Sequence, residues 1–239
     1  MNPRLRTLAA RGAWLAMAAP ALAQLALLLY AVVMRYSYPY DLEWMEGGLL
    51  VHAQRIASGD GIYVPPSVDF IPYLYTPLYP GVVATAGAVV GISYQLGRAI
   101  SILSLLGVFA VGAASLVGDG DRSARASSWS GMALATGLIA AAYPFVDGWY
   151  DLVRADTLFL FLDISGLVAA YRFSASGGGF AAHLKVALAG AILALAFFCK
   201  QTGILYVAAG GAVVLVRDWR RVPAFVAAAG ALGLGGAAI

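Results

Sequence analysis

Apolar residues run along this chain in long blocks, and a single extended stretch of polar and aromatic side chains interrupts them. The first block, Ala13 to Met34, follows Arg4, Arg6 and Arg11. It resembles a secretory leader at its start, but its hydrophobicity continues through Leu25–Val33 to about 20 residues, enough to cross a bilayer. It predicts an uncleaved first helix with its amino terminus on the basic, cytoplasmic side. Further apolar runs at Leu78–Ile92, Ala99–Val117, Trp129–Phe145, Leu158–Tyr171, Leu184–Cys199, Gly203–Val216 and Val222–Ile239 predict more helices. Several fall short of the roughly 17–25 residues of a full crossing, so half-spans or merged helices are expected.

The interrupting stretch, residues 35–77, contains a second kind of pattern. Leu42, Met45, Leu49, Ala53 and Ile56 recur every three or four positions, which predicts an amphipathic helix over Leu42–Ser58. Its apolar stripe should lie on the outer membrane face, with Glu46 and Arg55 exposed. Ser58-Gly59-Asp60-Gly61 ends it, Tyr63-Val64-Pro65-Pro66 is extended, and the prolines at 77 and 80 open the next helix.

Composition then fixes the class. The 239 residues are 62% hydrophobic and 11% charged, against about 25% charged in a soluble domain. The expected fold is an all-α polytopic transmembrane bundle, one transmembrane domain over 1–239 with an outer-face loop at 35–77. A net charge of +3 gives no case for nucleic acid. The single Cys199 excludes an intrachain disulfide, and His52 and His183 are far apart and read as surface residues. Arg172–Lys185 and Arg217–Arg221 both read as cytoplasmic, which puts Lys200 and Asp147–Asp156 outside. Counting spans from the first helix then leaves a parity conflict around Leu78–Val117. The apolar run at the carboxy end is uncapped and reads as the start of a longer protein.

Candidate chemistry follows from charges placed at membrane depth, where they are costly. Asp41 and Glu43 follow the first span; Asp41 is either a general base at the membrane surface or a cap for the helix after it. Arg154 and Asp156 form either an anion site or an interfacial ion pair, with Asp163 seven residues deeper on the same helical face. Lys200 is a phosphate-binding cation, a partner for Asp156 or Asp163, or a snorkelling lysine. Arg98 is a similar lone cation, and Tyr73, Tyr75 and Tyr79 fit an interfacial belt.

Taken in order, these residues resemble a family. The chain has a first helix, Asp41-Leu42-Glu43 in an outer loop, and an amphipathic helix ending Ser58-Gly59-Asp60. An aromatic Pro77-Leu78-Tyr79, Gly97-Arg98, Arg154-Ala155-Asp156 and Lys200-Gln201-Thr202-Gly203 follow. That order, over about Trp14 to Val216, is similar to the GT-C-type membrane glycosyltransferases, the group of protein O-mannosyltransferases and lipid A aminoarabinose transferases. The resemblance implies transfer of a sugar from a polyprenyl-phosphate donor to a lipid, glycan or protein acceptor hydroxyl. The expected location is the outer face of a bacterial inner membrane. Asp41 would be the catalytic carboxylate with Glu43 beside it. Arg98, Arg154, Asp156, Lys200, Tyr75 and Tyr79 would form the substrate-binding surface. The displacement would invert the anomeric carbon; no cofactor is required, and a divalent metal at Asp41/Glu43 is compatible with the scheme. The chain departs from the aminoarabinose transferases at Thr76, where they carry lysine, which removes support for a donor-phosphate contact there and for that sugar. A transporter using Asp163 and Lys200 as an ion or substrate path is the rival expectation, and an inactive scaffold subunit is a third.

Overall fold

A computed structural model describes residues 3–116, 122–175 and 177–236, with side chains from residue 12 onward except at 15, 17, 116, 122–128 and 236. Among the described residues the fold is all-helical, without strands. The helices are α1 (Pro3–Tyr36), α2 (Met45–Ser58), α3 (Leu78–Val90), α4 (Tyr94–Leu116), α5 (Arg122–Ala142), α6 (Asp156–Ser174), α7 (Phe180–Cys199), α8 (Gly203–Asp218) and α9 (Val222–Gly236). Five helical stretches are long and apolar enough to span a bilayer: Gly12–Tyr36, Tyr94–Ser115, Trp129–Val146, Asp156–Ser174 and Phe180–Cys199. The molecule is thus compatible with an integral membrane protein.

The chain clusters into two compact units, residues 1–38 with 109–149, and residues 39–108 with 150–239. In the first, α1 packs on α5. A Cβ built on Gly137 would lie 2.4 Å from that of Ala21, the close small-residue crossing that apolar helices use where lipid supplies no hydrophobic drive. Arg35 at the end of α1 donates to the Tyr143 hydroxyl and, at 3.3 Å, to the Gly148 carbonyl.

The second unit has two cores. One joins α6 to α9 through Ala170, Val186, Ala189, Leu193, Val214 and Phe225, and the missing side chain of Gly190 leaves room for the Phe225 carbonyl 2.4 Å from where a Cβ would be. The other gathers Leu49, Leu50, Ala53, Tyr79, Val83, Val153 and Cys199. It seats α2 on α3 and on the start of α6.

This second core corrects the expectation for the loop helix. α2 begins at Met45 rather than Leu42, and its stripe residues Leu49 and Ala53 are buried by protein. Glu46, expected to be exposed, is fully buried, because it carries the charge that neutralises Arg98. His52, read as a surface residue, is buried as well. Gly59, with φ 78°, ends the helix in the left-handed region, and the Asp60 N–H bonds the Arg55 carbonyl at 2.8 Å, a glycine-closed helix end.

α3 has 13 residues, about 20 Å of helix against a hydrocarbon core of about 30 Å. Its first turn is tied to the first turn of α4, since the Tyr79 hydroxyl donates to the Gly97 carbonyl at 3.0 Å. The starts of α3, α4 and α6, the amino end of α2 and the break between α7 and α8 therefore meet at one end of this unit. The other end is basic. There Arg221 donates to the carbonyls of Phe173 at 2.6 Å and Gly177 at 3.0 Å and pairs with Asp218 at 2.9 Å.

Candidate functional site

The acidic end of the second unit collects carboxylates and cations that lie far apart in sequence. Glu46, in the first turn of α2, takes Arg98 of α4 with both oxygens: Nε to Oε1 at 3.0 Å and a second guanidinium nitrogen to Oε2 at 2.7 Å. The remaining lone pairs accept the backbone N–H of Val153 at 2.9 Å and of Leu42 at 2.7 Å. Arg98 also donates to the Tyr40 carbonyl at 2.8 Å. Both side chains are wholly buried, so this pair fixes three segments to one another: the approach to α2, the head of α4, and the turn before α6.

That turn presents Arg154. Its guanidinium donates to Glu43 Oε2 at 2.9 Å and to Asp156 Oδ2 at 2.9 Å, and Asp156 Oδ1 accepts from Lys200 Nζ at 2.7 Å. The result is a run of alternating charge, Glu43–Arg154–Asp156–Lys200. Burial works against the Arg154 charge, but Asp156 and Glu43 more than offset it and raise the guanidinium pKa. Exposure is lowest at Arg154, whose side chain is 5% exposed against 15% for Glu43, and rises from there through Asp156 to 24% for Lys200. Lys200 is also held 5.9 Å from the Phe159 ring centroid. It stands where α7 stops and the backbone turns extended, with φ −148° and ψ 137°, which lets its side chain swing back over α6.

Asp41 lies outside this run. Its Oδ1 accepts the Gly47 N–H at 2.7 Å, in the first turn of α2, and the Tyr94 phenol lies beside it. Among the described residues it has no cationic partner, and it is exposed. The carboxylate thus satisfies a first-turn N–H of α2, as the capping reading expects, shares a hydrogen bond with the Tyr94 phenol, and is exposed to solvent. Glu43 accepts the Met45 N–H at 3.1 Å besides its bond to Arg154. Both carboxylates sit at the positive end of the α2 dipole, where negative charge is favoured.

An aromatic wall borders the carboxylates. Tyr73 makes edge contacts with Trp44 at 6.0 Å and Tyr75 at 6.5 Å. The Tyr73 hydroxyl rests on Gly48, where a Cβ would come within 1.9 Å of it; only glycine admits that approach. Burial, then the charges of Glu43 and Asp41, raise the Tyr73 pKa, so the phenol stays a hydrogen-bond donor. Tyr75 directs its hydroxyl to the Met45 sulfur at 3.7 Å, and its carbonyl accepts from Tyr63 at 2.9 Å. Trp44 is 73% exposed.

Of the residues expected to bind substrate, Arg154, Asp156 and Lys200 come together, and Tyr75 stands nearby on the loop. Arg98 and Tyr79 do not reach an open face. Arg98 is consumed by Glu46, and Tyr79 is buried with its hydroxyl on Gly97 and Ser101. They position the site rather than line it. Sequence reasoning missed Glu46 as the partner of Arg98, 52 residues away, and no local signal marks that pair. Asp163 is buried, and among the described residues neither carboxylate oxygen has a hydrogen-bond partner. No group of three metal-type side chains converges among the described residues. Comparison of the chain with family models, curated proteins and solved structures found no match.

Proposed function

We propose that this protein is a membrane glycosyltransferase of the GT-C type that moves a sugar from a polyprenyl-phosphate donor to an acceptor hydroxyl at the outer face. The observation that carries the reading is an exposed carboxylate without a cationic partner among the described residues, Asp41, at the same end of the helical unit as a preorganised run of alternating charge that ends at a part-exposed lysine. Asp41 accepts the proton of the acceptor hydroxyl. The hydroxyl oxygen then attacks the anomeric carbon, and the carbon–oxygen bond to the donor phosphate breaks with inversion. The polyprenyl phosphate departs as an anion, and Lys200 stabilises it, with Arg154 behind Asp156 fixing its position. Such a leaving group needs no proton, so one carboxylate suffices, unlike the two of glycoside hydrolases.

The charge distribution supports placing this end outside the cytoplasm. The opposite end of the unit carries Arg172, Lys185, Arg217, Arg220 and Arg221, and basic residues favour the cytoplasmic side. The shortness of α3, with its first turn tied to the first turn of α4, supports a surface or re-entrant helix. On that count the parity conflict in the sequence disappears. A bacterial inner membrane is the setting we assign.

The transporter reading has one observation in its favour, the buried Asp163, which has no hydrogen-bond partner among the described residues. The other charges gather at the end of the unit rather than midway along it, which favours the transferase.

Asp41→Asn in the full-length protein tests the proposal. Transfer in isolated membranes should fall by about 10²–10⁴-fold, the range of general-base contributions, with abundance and unfolding temperature unchanged. Normal turnover in a folded variant would leave Asp41 a cap alone.

A further inference from the structure

His52 takes no part in the proposed chemistry, yet both of its ring nitrogens are engaged. Nδ1 lies 2.7 Å from the Gly48 carbonyl one turn back, and Nε2 lies 3.0 Å from the backbone N of Tyr73. A carbonyl only accepts, so Nδ1 carries the hydrogen; an N–H only donates, so Nε2 is bare. The two contacts select one neutral tautomer. The ring stacks on Tyr73 at 4.8 Å and 27°, and tilts against Phe70 at 4.8 Å. The Arg55 guanidinium lies over Phe70 at 4.3 Å and donates to the Gly61 carbonyl at 2.9 Å. Ser67 closes the turn beneath Phe70, its hydroxyl accepting the Phe70 N–H at 3.1 Å. Loop 61–76 is thus held on α2 at its start by Arg55, at Phe70 and Tyr73 by the imidazole and at Tyr75 by Met45, while the Leu74 carbonyl accepts from Gln201 at the break between α7 and α8.

What the fastening positions is Tyr73, whose hydroxyl rests on Gly48 next to the glycine that holds Asp41. We propose that neutral His52 is the positioning residue that locks loop 61–76 and its Tyr73 beside Asp41, and that protonation of His52 unlocks the loop. A second ring proton on Nε2 would point at the Tyr73 N–H, so the imidazolium must give up that contact. Charge around the ring disfavours it too. Arg55 on the same helix is cationic, the loop presents Phe70 and the Tyr73 phenol, and α3, packed on α2, carries no charged side chain.

Burial first, then Arg55, lower the His52 pKa below its ordinary value, against the Gly48 carbonyl that raises it. The sign follows. The locked loop binds fewer protons than the open one, so its stability is complete above about pH 6.5 and is lost as pH falls through the lowered value. The lock stands on backbone geometry and holds whatever reaction Asp41 serves.

The test reads the loop and not turnover, so its failure is separate from any failure of the transferase proposal. The chain has two histidines, His52 and His183, so ¹⁵N-histidine labelling of the full-length protein in micelles gives two resolvable titrations, assigned with His52→Gln. At pH 8 His52 should show a protonated Nδ1 and a bare Nε2. Hydrogen exchange at the Tyr73 amide, corrected for intrinsic rate, should quicken by up to about tenfold for each pH unit between about pH 6.5 and the lowered value of the locked imidazole, and level off below it. His52→Gln, whose amide oxygen accepts without titrating, should abolish that dependence. A proton on Nε2 at pH 8, or the same pH dependence in His52→Gln, would overturn the proposal. If His52→Gln does not fold, the wild-type midpoints decide: coincidence of the His52 titration with the Tyr73 exchange step supports the lock, and separation of the two refutes it.

Discussion

Glu46→Gln is the sharpest perturbation of the architecture beneath the site. It keeps the shape of the side chain and removes its charge, leaving Arg98 wholly buried against a neutral amide. Each Glu46 oxygen accepts two donors, one from Arg98 and one from the backbone of Leu42 or Val153. Whichever oxygen becomes NH₂, two donors then face a third. Breaking one partner of a buried ion pair costs about 3–5 kcal/mol, a large share of the roughly 5–15 kcal/mol that holds a domain together. Replacing both partners with apolar residues of similar size, Glu46→Met with Arg98→Leu, removes the stranded charge but leaves the Leu42 and Val153 N–H groups without their acceptor, so it should restore only part of the loss. Reversible unfolding in mixed micelles, titrated with a denaturing detergent and followed by tryptophan fluorescence, gives both values. A Glu46→Gln variant within about 1 kcal/mol of wild type, smaller than the cost of one stranded buried donor, would refute the structural role of the pair. A double variant no more stable than the single one would refute the reasoning about charge.

Two other substitutions separate the readings of the site. Lys200→Ala should weaken binding of a polyprenyl-phosphate sugar in nanodiscs about tenfold or more, since a hydrogen bond to a charged group contributes about 1.5–3 kcal/mol. Lys200→Arg should weaken it less, and equal binding by both would remove Lys200 from the donor site. Asp163→Leu removes a buried carboxylate that has no partner among the described residues and should raise the unfolding temperature in detergent, by the equivalent of about 1–3 kcal/mol; a lower temperature, or loss of a transport activity, would favour the ion-path reading.

The helices were legible in the sequence where apolar runs are long, as at Phe180–Cys199, because lipid or neighbouring helices require the same residues throughout. The convergence of Arg154, Asp156 and Lys200 was legible too, since basic clusters on either side force Lys200 to the end of α6 where Asp156 starts. The Glu46–Arg98 pair was not, because a helix pattern assigns a carboxylate off the apolar stripe to water and carries no knowledge of a cation 52 residues away. His52 was misread for the same reason, as the segment that covers it, Ser67 to Tyr75, is irregular and has no period. The run Leu78–Ile92, too short for a crossing, was open to reading as a half-span or part of a merged helix; the structure gives a 13-residue helix, and the Tyr79–Gly97 bond that ties it to α4 leaves no mark in the composition.

The central claim, that Asp41 is the base in transfer from a lipid-phosphate sugar, is tested most directly with the purified full-length protein in liposomes. A panel of polyprenyl-phosphate sugars with candidate acceptors is supplied, and two readouts are taken: release of polyprenyl phosphate, and the anomeric configuration of the product by NMR. Release should be coupled to an inverted product for at least one donor and slowed about 10²–10⁴-fold in Asp41→Asn. Retention at the anomeric carbon, release that is indifferent to Asp41→Asn, or no release from any donor in the panel would contradict it.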